Sequence, residues 1–573
     1  MSIAQRSDDN LAPLFKARSN DTRADTYIVT LCENVDYHDH FRTIGRDLEA
    51  DNSTSFKWFK YADSYYATDI TSDWISKIRK DPAVEAIDEW EPWEQIKQLD
   101  APEGPEPVIL ERDSLEWDPA IWSGAPWHLQ ALSAGAKLDN IPDQGTATQI
   151  KYNNIIGGGQ GVNIYIVDSG VDVDHKLFGG RARNFHKSYI NNDGDFFQDK
   201  TGHGTAVAGC AAGRFFGTAQ GVNIINVKTF FKVNNKRPAQ TIPQDFLDAL
   251  KDILEEHLAN VENPPPGFKG SVVNLSLGGD TRGANSARKV ISRMHAVGIA
   301  VVAAAGNGRE AGVSADDVWP CKWNTICVGG MSRQYQQDWY SNTGTNVTVF
   351  APGTDIKTLI NGGGAGYSTG TSFAAPLVAG VLATFMGWEN LGYAGLNNPD
   401  LIRSRLNANS SKGILSDKIN GNDLGGSANN VATTGINYPG KPAKDPYNGV
   451  GDGITNNYLA EFISFDIATS SDGFPLHLPP LEPPQPSPVE GPTVTETPTD
   501  VPAAATTEAE VDDNDVDLIG DGRDDDASEP TATATPTVDR PKIITPTGDG
   551  NGCISVGCPD GYICNTVGNC VLE

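Results

Sequence analysis

Five short apolar runs between residues 161 and 330 constrain this chain more than any other feature: VNIYIVD, GVNIINVKTF, SVVNLSLGG, GIAVVAAAGN and TICVGG. Each is continuously apolar rather than alternating, the pattern of a strand buried on both faces. Helix-like stretches at 203–212, 243–259 and 284–297 fall between them. Buried strands alternating with helices predict a doubly wound α/β domain with a mostly parallel sheet. Residues 26–92 have a different rhythm. There TYIVTL and AVEAIDEW read as strands, and DYHDHFRTIGRDL and TSDWISKIRK as helices, which predicts a small α+β unit.

Composition divides the rest. The net charge of −30 is unevenly spread: residues 85–118 carry twelve acidic side chains against two basic, and residues 496–529 thirteen against one. Both runs have the wrong sign for nucleic acid and read as solvated segments. The expected organisation is a disordered N-terminus over 1–25, the α+β unit over 26–92 and an acidic linker over 93–124. The large domain follows over 125–438, then a disordered Pro/Thr/Asp-rich spacer over 439–549 and a small Cys-rich module over 550–573. The acidic DDNDVDLIGDGRDDD run in the spacer does not make a calcium loop. Counted from Asp513, the sixth position is Leu518 rather than glycine and the twelfth is Asp524 rather than glutamate.

Four of the eight cysteines, Cys553, Cys558, Cys564 and Cys570, crowd the last 21 residues. So short a segment cannot build a core, and two disulfides are expected; with no histidine nearby, a zinc site fits the spacing poorly. Cys321 and Cys327 suit a further pair, whereas Cys32 and Cys210 read as leftovers, Cys210 as a buried thiol. This usage points to an oxidising, extracellular compartment. The first 20 residues hold no apolar run long enough for a signal peptide, so the reading places the true N-terminus upstream of this sequence. No stretch is long and apolar enough to span a membrane.

In an open α/β sheet, functional groups gather at the carboxyl ends of strands and the amino ends of the helices that follow. Asp168 closes the first strand in VDSGVDVDH, His203 stands between Gly202 and Gly204 before a helix of small residues, and Ser372 opens a helix in GTSFAAPLVAG. Small residues at both helix starts let the two backbones approach. Singly, the aspartate reads as a turn residue and the serine as a helix cap; together, in this pattern, they read as acid, base and nucleophile. The chain order Asp, His, Ser excludes an α/β-hydrolase. That fold needs Ser, acid, His and a second glycine where this chain has Ala374.

The successive motifs YIVDSGVDVDH, GHGTAVAG, NLSLGG, AAAGN and GTSFAAPLVAG resemble those of the subtilisin-like serine peptidases, in particular their secreted fungal proteinase K-like branch, over roughly 125–410. The resemblance implies that Asp168 orients the imidazole, His203 is general base and then acid, Ser372 is the nucleophile and Asn307 donates to the oxyanion. It implies a primary specificity pocket for an apolar or aromatic residue, edged by Ser276, Leu277, Gly278, Gly279 and by Ala303, Ala304, Ala305, Gly306. FAPGTDI resembles a calcium-binding segment of the family, with Asp355 as ligand beside backbone oxygens near Asn324 and Ile326; the alternative is a plain surface aspartate. No cofactor is required for the chemistry. Ala206, Phe373 and Leu377 depart from the family pattern at positions that carry no triad chemistry.

The α+β unit is similar to the subtilisin propeptide, which implies an intramolecular inhibitor cleaved off near Ala125. The expected partners are therefore polypeptide substrates and the chain's own propeptide, on a monomer. The rival reading is a non-catalytic extracellular binding protein on the same scaffold.

Overall fold

The structure is a computed structural model. It describes residues 10–18, 21–94, 125–134, 137–138, 158–190, 196–231, 239–280, 284–323, 325–389, 398, 400–416 and 424–434, and the two short strands 562–564 and 570–572. Two units emerge, one of residues 1–452 with 549–557 and one of residues 453–548 with 558–573.

The apolar runs become a nine-stranded sheet. Its order is Ser411–Lys412, Asn430–Val431, Val347–Pro352, Ile326–Met331, Ala300–Ala304, Gly270–Leu275, Val162–Asp168, Asn223–Lys228 and Ala182–Asn184. Every pairing is parallel except the one between 411–412 and 430–431. Alternate side chains of the 162–168 strand enter two cores. Ile164 and Ile166 pack with helices His203–Ala212 and Thr371–Glu389; Tyr165 and Val167 pack with helices Pro243–Glu262 and Asn285–Ala296. This is the doubly wound arrangement. From the 162–168 strand the chain runs first to the edge strand 182–184, returns to 223–228 on the same side, and then crosses to 270–275 on the other. The topological switch, where such sheets open a crevice at their carboxyl ends, therefore lies at Asp168 and Leu275.

Residues 26–92 form the small α+β unit around its own core of Val29, Phe41, Tyr65 and Ile87. Its five-stranded sheet has the order Leu14–Phe15, Val84–Glu89, Tyr27–Leu31, Ser64–Ala67, Phe56–Phe59. Two expectations need correcting. Residues 10–18 are not disordered: Leu14 and Phe15 pair in parallel with Ile87 and Asp88, because Ala12 and the apolar edge they cover would otherwise be exposed. The linker does not begin at residue 93 either, since Trp93–Glu94 pairs antiparallel with Gln240–Thr241 and Trp93 packs on Phe246 and Trp319. The remainder of the linker, the 439–549 spacer, and Cys553 and Cys558 lie outside the described residues. In the second unit the strands Tyr562–Cys564 and Cys570–Leu572 pair antiparallel, with Cys564 opposite Cys570 in the backbone register.

Cys321 and Cys327 are disulfide-bonded as expected, and Cys210 is a free thiol, buried on the 203–212 helix, where burial pushes it up to about 12. Cys32 is no leftover: it is disulfide-bonded.

The small unit sits on the helices 243–262 and 285–296 through charge. Lys289 is almost fully buried, its ammonium donating to the Leu31 carbonyl at 2.8 Å and lying 3.0 Å from Glu85 and 3.5 Å from Asp63. Arg293 pairs with Asp63 at 2.8 Å, and Arg288 with Glu85. Trp90 donates its indole N–H to Gln244 at 2.9 Å.

Candidate active site

Asp168 ends its strand fully buried, and its Oδ1 accepts from the Ser169 N–H at 2.7 Å and from His203 Nδ1–H at 2.8 Å. The histidine reaches it because the helix beginning at His203 starts hard against the 168–170 turn. A Cβ at Gly204 would collide with the Gly170 carbonyl oxygen, so only glycine permits that approach. Burial resists a charge on His203, but the Asp168 carboxylate, its hydrogen bond and the more distant Asp199 outweigh it and raise the imidazole above its ordinary value.

Ser372 is the second residue of the 371–389 helix and is buried, its hydroxyl making no hydrogen bond among the described residues. Phe373, next in sequence, has its ring 5.5 Å from the His203 ring. The two helix starts converge because the helices touch through small residues. A Cβ on Gly380 would lie 2.8 Å from the Ala211 carbonyl oxygen and 2.7 Å from Thr218. Ala206 and Leu377, where the family pattern is broken, are simply buried among the apolar side chains of this contact.

Two further segments tie to the same helix start. Ser276 donates its hydroxyl to the Ser372 carbonyl at 2.7 Å. Thr371 Oγ1 accepts from the Gly306 N–H at 3.0 Å. Asn307 Oδ1 accepts from the Thr371 N–H at 3.0 Å and its hydroxyl at 2.8 Å, which fixes the other end of the amide as the donor end. Since Leu275 and Ala303 are register partners, segments 276–279 and 303–306 leave adjacent strands side by side. The structure thus gathers Asp168, His203, Ser372, Asn307 and both cleft edges at one end of one sheet. Gly278, Gly279, Ala303, Ala304, Ala305 and Gly306 lie along these edges, the alanines and Gly306 buried. Leu277 departs from expectation. It packs in the core with Phe246 and Trp319, because its side chain faces away from the cleft.

Ile326 and Asp355, two parts of the anticipated cation site, lie toward opposite ends of one strand pair. Ile326 precedes Cys327, which pairs with Val347, while Asp355 follows Pro352, which pairs with Met331. Asn324 lies outside the described residues. Asp355 sits in the left-handed region at φ 54°, its carbonyl accepting the Trp127 indole N–H.

Sequence reasoning overlooked Asp199, which is buried and accepts hydrogen bonds from Ser169 and from the backbone of the His203 turn. The available signal was its position four residues before His203, in QDKTGHG.

Comparison with known proteins decides the family. The profile of the subtilase family (Peptidase_S8) matches residues 159–422. Subtilisin-like protease 3 of Pseudogymnoascus destructans is 33% identical over 313 residues, covering 54% of this chain and 70% of that protein. The chain belongs to the subtilase family. Subtilisin-like protease 8 of Trichophyton verrucosum is 30% identical over 331 residues, covering 55% of this subtilase and 63% of that relative, so the match spans less than two thirds of its length. The solved structure of a cold-adapted subtilisin-like serine proteinase is 28% identical with a TM-score of 0.44, covering 55% of the subtilase and 99% of that chain. Among the described residues of the subtilase, no helix is long and apolar enough to cross a membrane.

Proposed function

We propose that this subtilase is an extracellular serine endopeptidase made as an inhibited precursor. The observation that carries the reading is His203 held by Asp168 on one side and set against the Ser372 helix start on the other. In the proposed cycle His203 Nε2 takes the Ser372 proton as the hydroxyl attacks a peptide carbonyl, and then delivers it to the leaving amine. Asp168 keeps Nδ1 protonated, so that Nε2 is the basic nitrogen, and it stabilises the imidazolium. The Asn307 amide donates to the oxyanion, and water then hydrolyses the acyl-enzyme by the reverse route. Small residues along 276–279 and 303–306 support an apolar or aromatic preference beside the scissile bond. The Cys321–Cys327 disulfide supports an oxidising compartment.

The N-terminal unit is the proposed inhibitor, released by cleavage within 95–124. Its charged seat on helix 285–296 supports this. Replacing Lys289 by alanine would leave Asp63 and Glu85 with less compensation in a buried contact, a change worth roughly 2–5 kcal/mol. The cleaved unit of Lys289→Ala is therefore expected to leave sooner, shortening the lag before activity in a progress curve. An unchanged lag would count against the seat.

The oxyanion role has its own test. Asn307→Ala is expected to lower kcat by about 10²–10³ with little change in KM, because the donor acts on charge that develops only in the transition state.

The deciding experiment is fluorophosphonate labelling of the expressed chain, followed in time beside Ser372→Ala. Labelling that rises as the N-terminal unit is lost, and is absent in Ser372→Ala, supports a self-processed serine peptidase. No labelling after complete removal of that unit would favour a non-catalytic binding protein on this scaffold.

A further inference from the structure

Asp199 lies in neither the strand nor the helix that carries the acid and the base, yet its carboxylate reaches both. Oδ1 accepts from the Ser169 hydroxyl at 2.8 Å, the Gly202 N–H at 2.9 Å and the Thr201 N–H at 3.2 Å; Oδ2 accepts from the Thr205 N–H at 2.8 Å. Ser169 Oγ in turn accepts from the Thr201 hydroxyl at 2.6 Å and the Gly204 N–H at 3.2 Å, and Thr201 Oγ1 accepts from the His203 N–H at 3.1 Å. Each of these carboxylate partners is a donor, the pattern that an ionised, acceptor-only carboxylate matches. Each also belongs either to the residue after Asp168 or to the turn bearing His203. The Asp199 carbonyl is itself held by the Asn361 amide.

We propose that Asp199 is a positioning residue of the catalytic site, clamping the His203 turn to the Asp168 turn and placing a second negative charge near the imidazole. The inference rests on the peptidase reading above and deepens it. The alternative is a helix cap of structural value alone. The two differ in what they do to His203. A cap holds the helix start, whereas a nearby carboxylate also favours the imidazolium that forms during reaction. The surroundings leave Asp199 this role. Asp168 is the first carboxylate, on Nδ1. Asp172 turns its carboxylate to the Gly362 N–H. Lys228, opposite Asp168 in register, donates its ammonium to the Gln198 carbonyl at 2.6 Å, and Phe373 offers only its ring. Both carboxylates act to raise the His203 imidazole.

The test is Asp199→Asn in the processed full-length enzyme, read by kcat, KM, thermal midpoint and the pH dependence of kcat/KM. Asparagine keeps the shape but removes the charge and turns one acceptor into a donor facing donors. The expected result is a fall in kcat of about 10–100-fold with KM within about twofold, since small misplacements of reacting groups carry penalties of this size. The acid limb is also expected to move to lower pH, because a charge that favoured the protonated imidazole is gone. An acid limb superimposable on the wild type would overturn the proposal, whatever happened to the thermal midpoint. If Asp199→Asn does not fold, Ser169→Ala tests the clamp with the charge kept. There kcat should fall while the acid limb stays in place, and an unchanged kcat would overturn the proposal. A wild-type chain that neither labels nor hydrolyses would remove the peptidase reading itself, whereas an active wild type with an unaltered variant limb removes this inference alone.

Discussion

Ser372→Ala is expected to lower kcat by about 10⁶-fold, with a residual of ~10³–10⁴ over the uncatalysed reaction from the oxyanion donor and substrate binding. Those magnitudes are the ones measured for subtilisin itself; what the geometry of this chain explains is why the loss should be so complete. Ser372 Oγ has no hydrogen-bond partner among the described residues, so alanine removes no contact that holds the helix start. The anchors of that helix start are Ser276 to the Ser372 carbonyl and Thr371 to Gly306 and Asn307, all of which alanine keeps. Once its N-terminal unit is removed by an added protease, the variant should therefore stay folded, keep the processed enzyme's thermal midpoint and bind substrate with nearly the wild-type KM. A variant that lost activity together with its thermal midpoint would argue that Ser372 is a packing residue instead.

Asp168→Asn is the second large effect, about 10⁴-fold in kcat by analogy with the same change in another triad enzyme. The asparagine amide would present a donor to Nδ1, favouring the tautomer with its proton on Nε2, the nitrogen that must accept from Ser372. The pH dependence follows a definite sign. In the native chain burial lowers the imidazole, and Asp168 followed by Asp199 raises it further than burial lowers it, so His203 stays protonated to a higher pH than usual. Activity, which needs the neutral base, should then have its acid limb displaced to higher pH than an unperturbed imidazole would give. Any stability contributed by the charged pair is present below the unfolded value of about 6.5 and is lost as pH rises through the folded one. In Asp168→Asn burial remains while the larger opposing cause is gone, so the acid limb of the residual activity should move to lower pH. A limb that stays in place would show that His203 is not the group being titrated.

Buried parallel strands announce themselves as continuous apolar runs, which is why the sheet and its strand-end residues are legible in the chain alone. Asp168 was legible because a carboxylate closing VNIYIV has to find a buried partner. The hairpin Phe56–Phe59 and Ser64–Ala67 was not legible. Its aromatic residues carry neither a clean alternation nor a turn signal of the Asn-Gly kind. Leu277 departed from expectation because a motif gives the neighbours of a residue along the chain but not the face on which its side chain emerges. Asp199 was hidden differently. An aspartate ahead of Thr-Gly reads as an ordinary turn residue, and its partner Ser169 is thirty positions away in sequence.

The buried thiol of Cys210 offers a use unconnected with chemistry at the cleft. It is fully enclosed, seven residues along the helix that His203 begins, and its displaced acidity leaves almost no thiolate at neutral pH. A thiol reagent can reach it only when that helix opens. Its rate of modification under native conditions, as a function of denaturant, therefore measures the opening free energy of the element that carries the proposed base, separately from the global unfolding of the sheet.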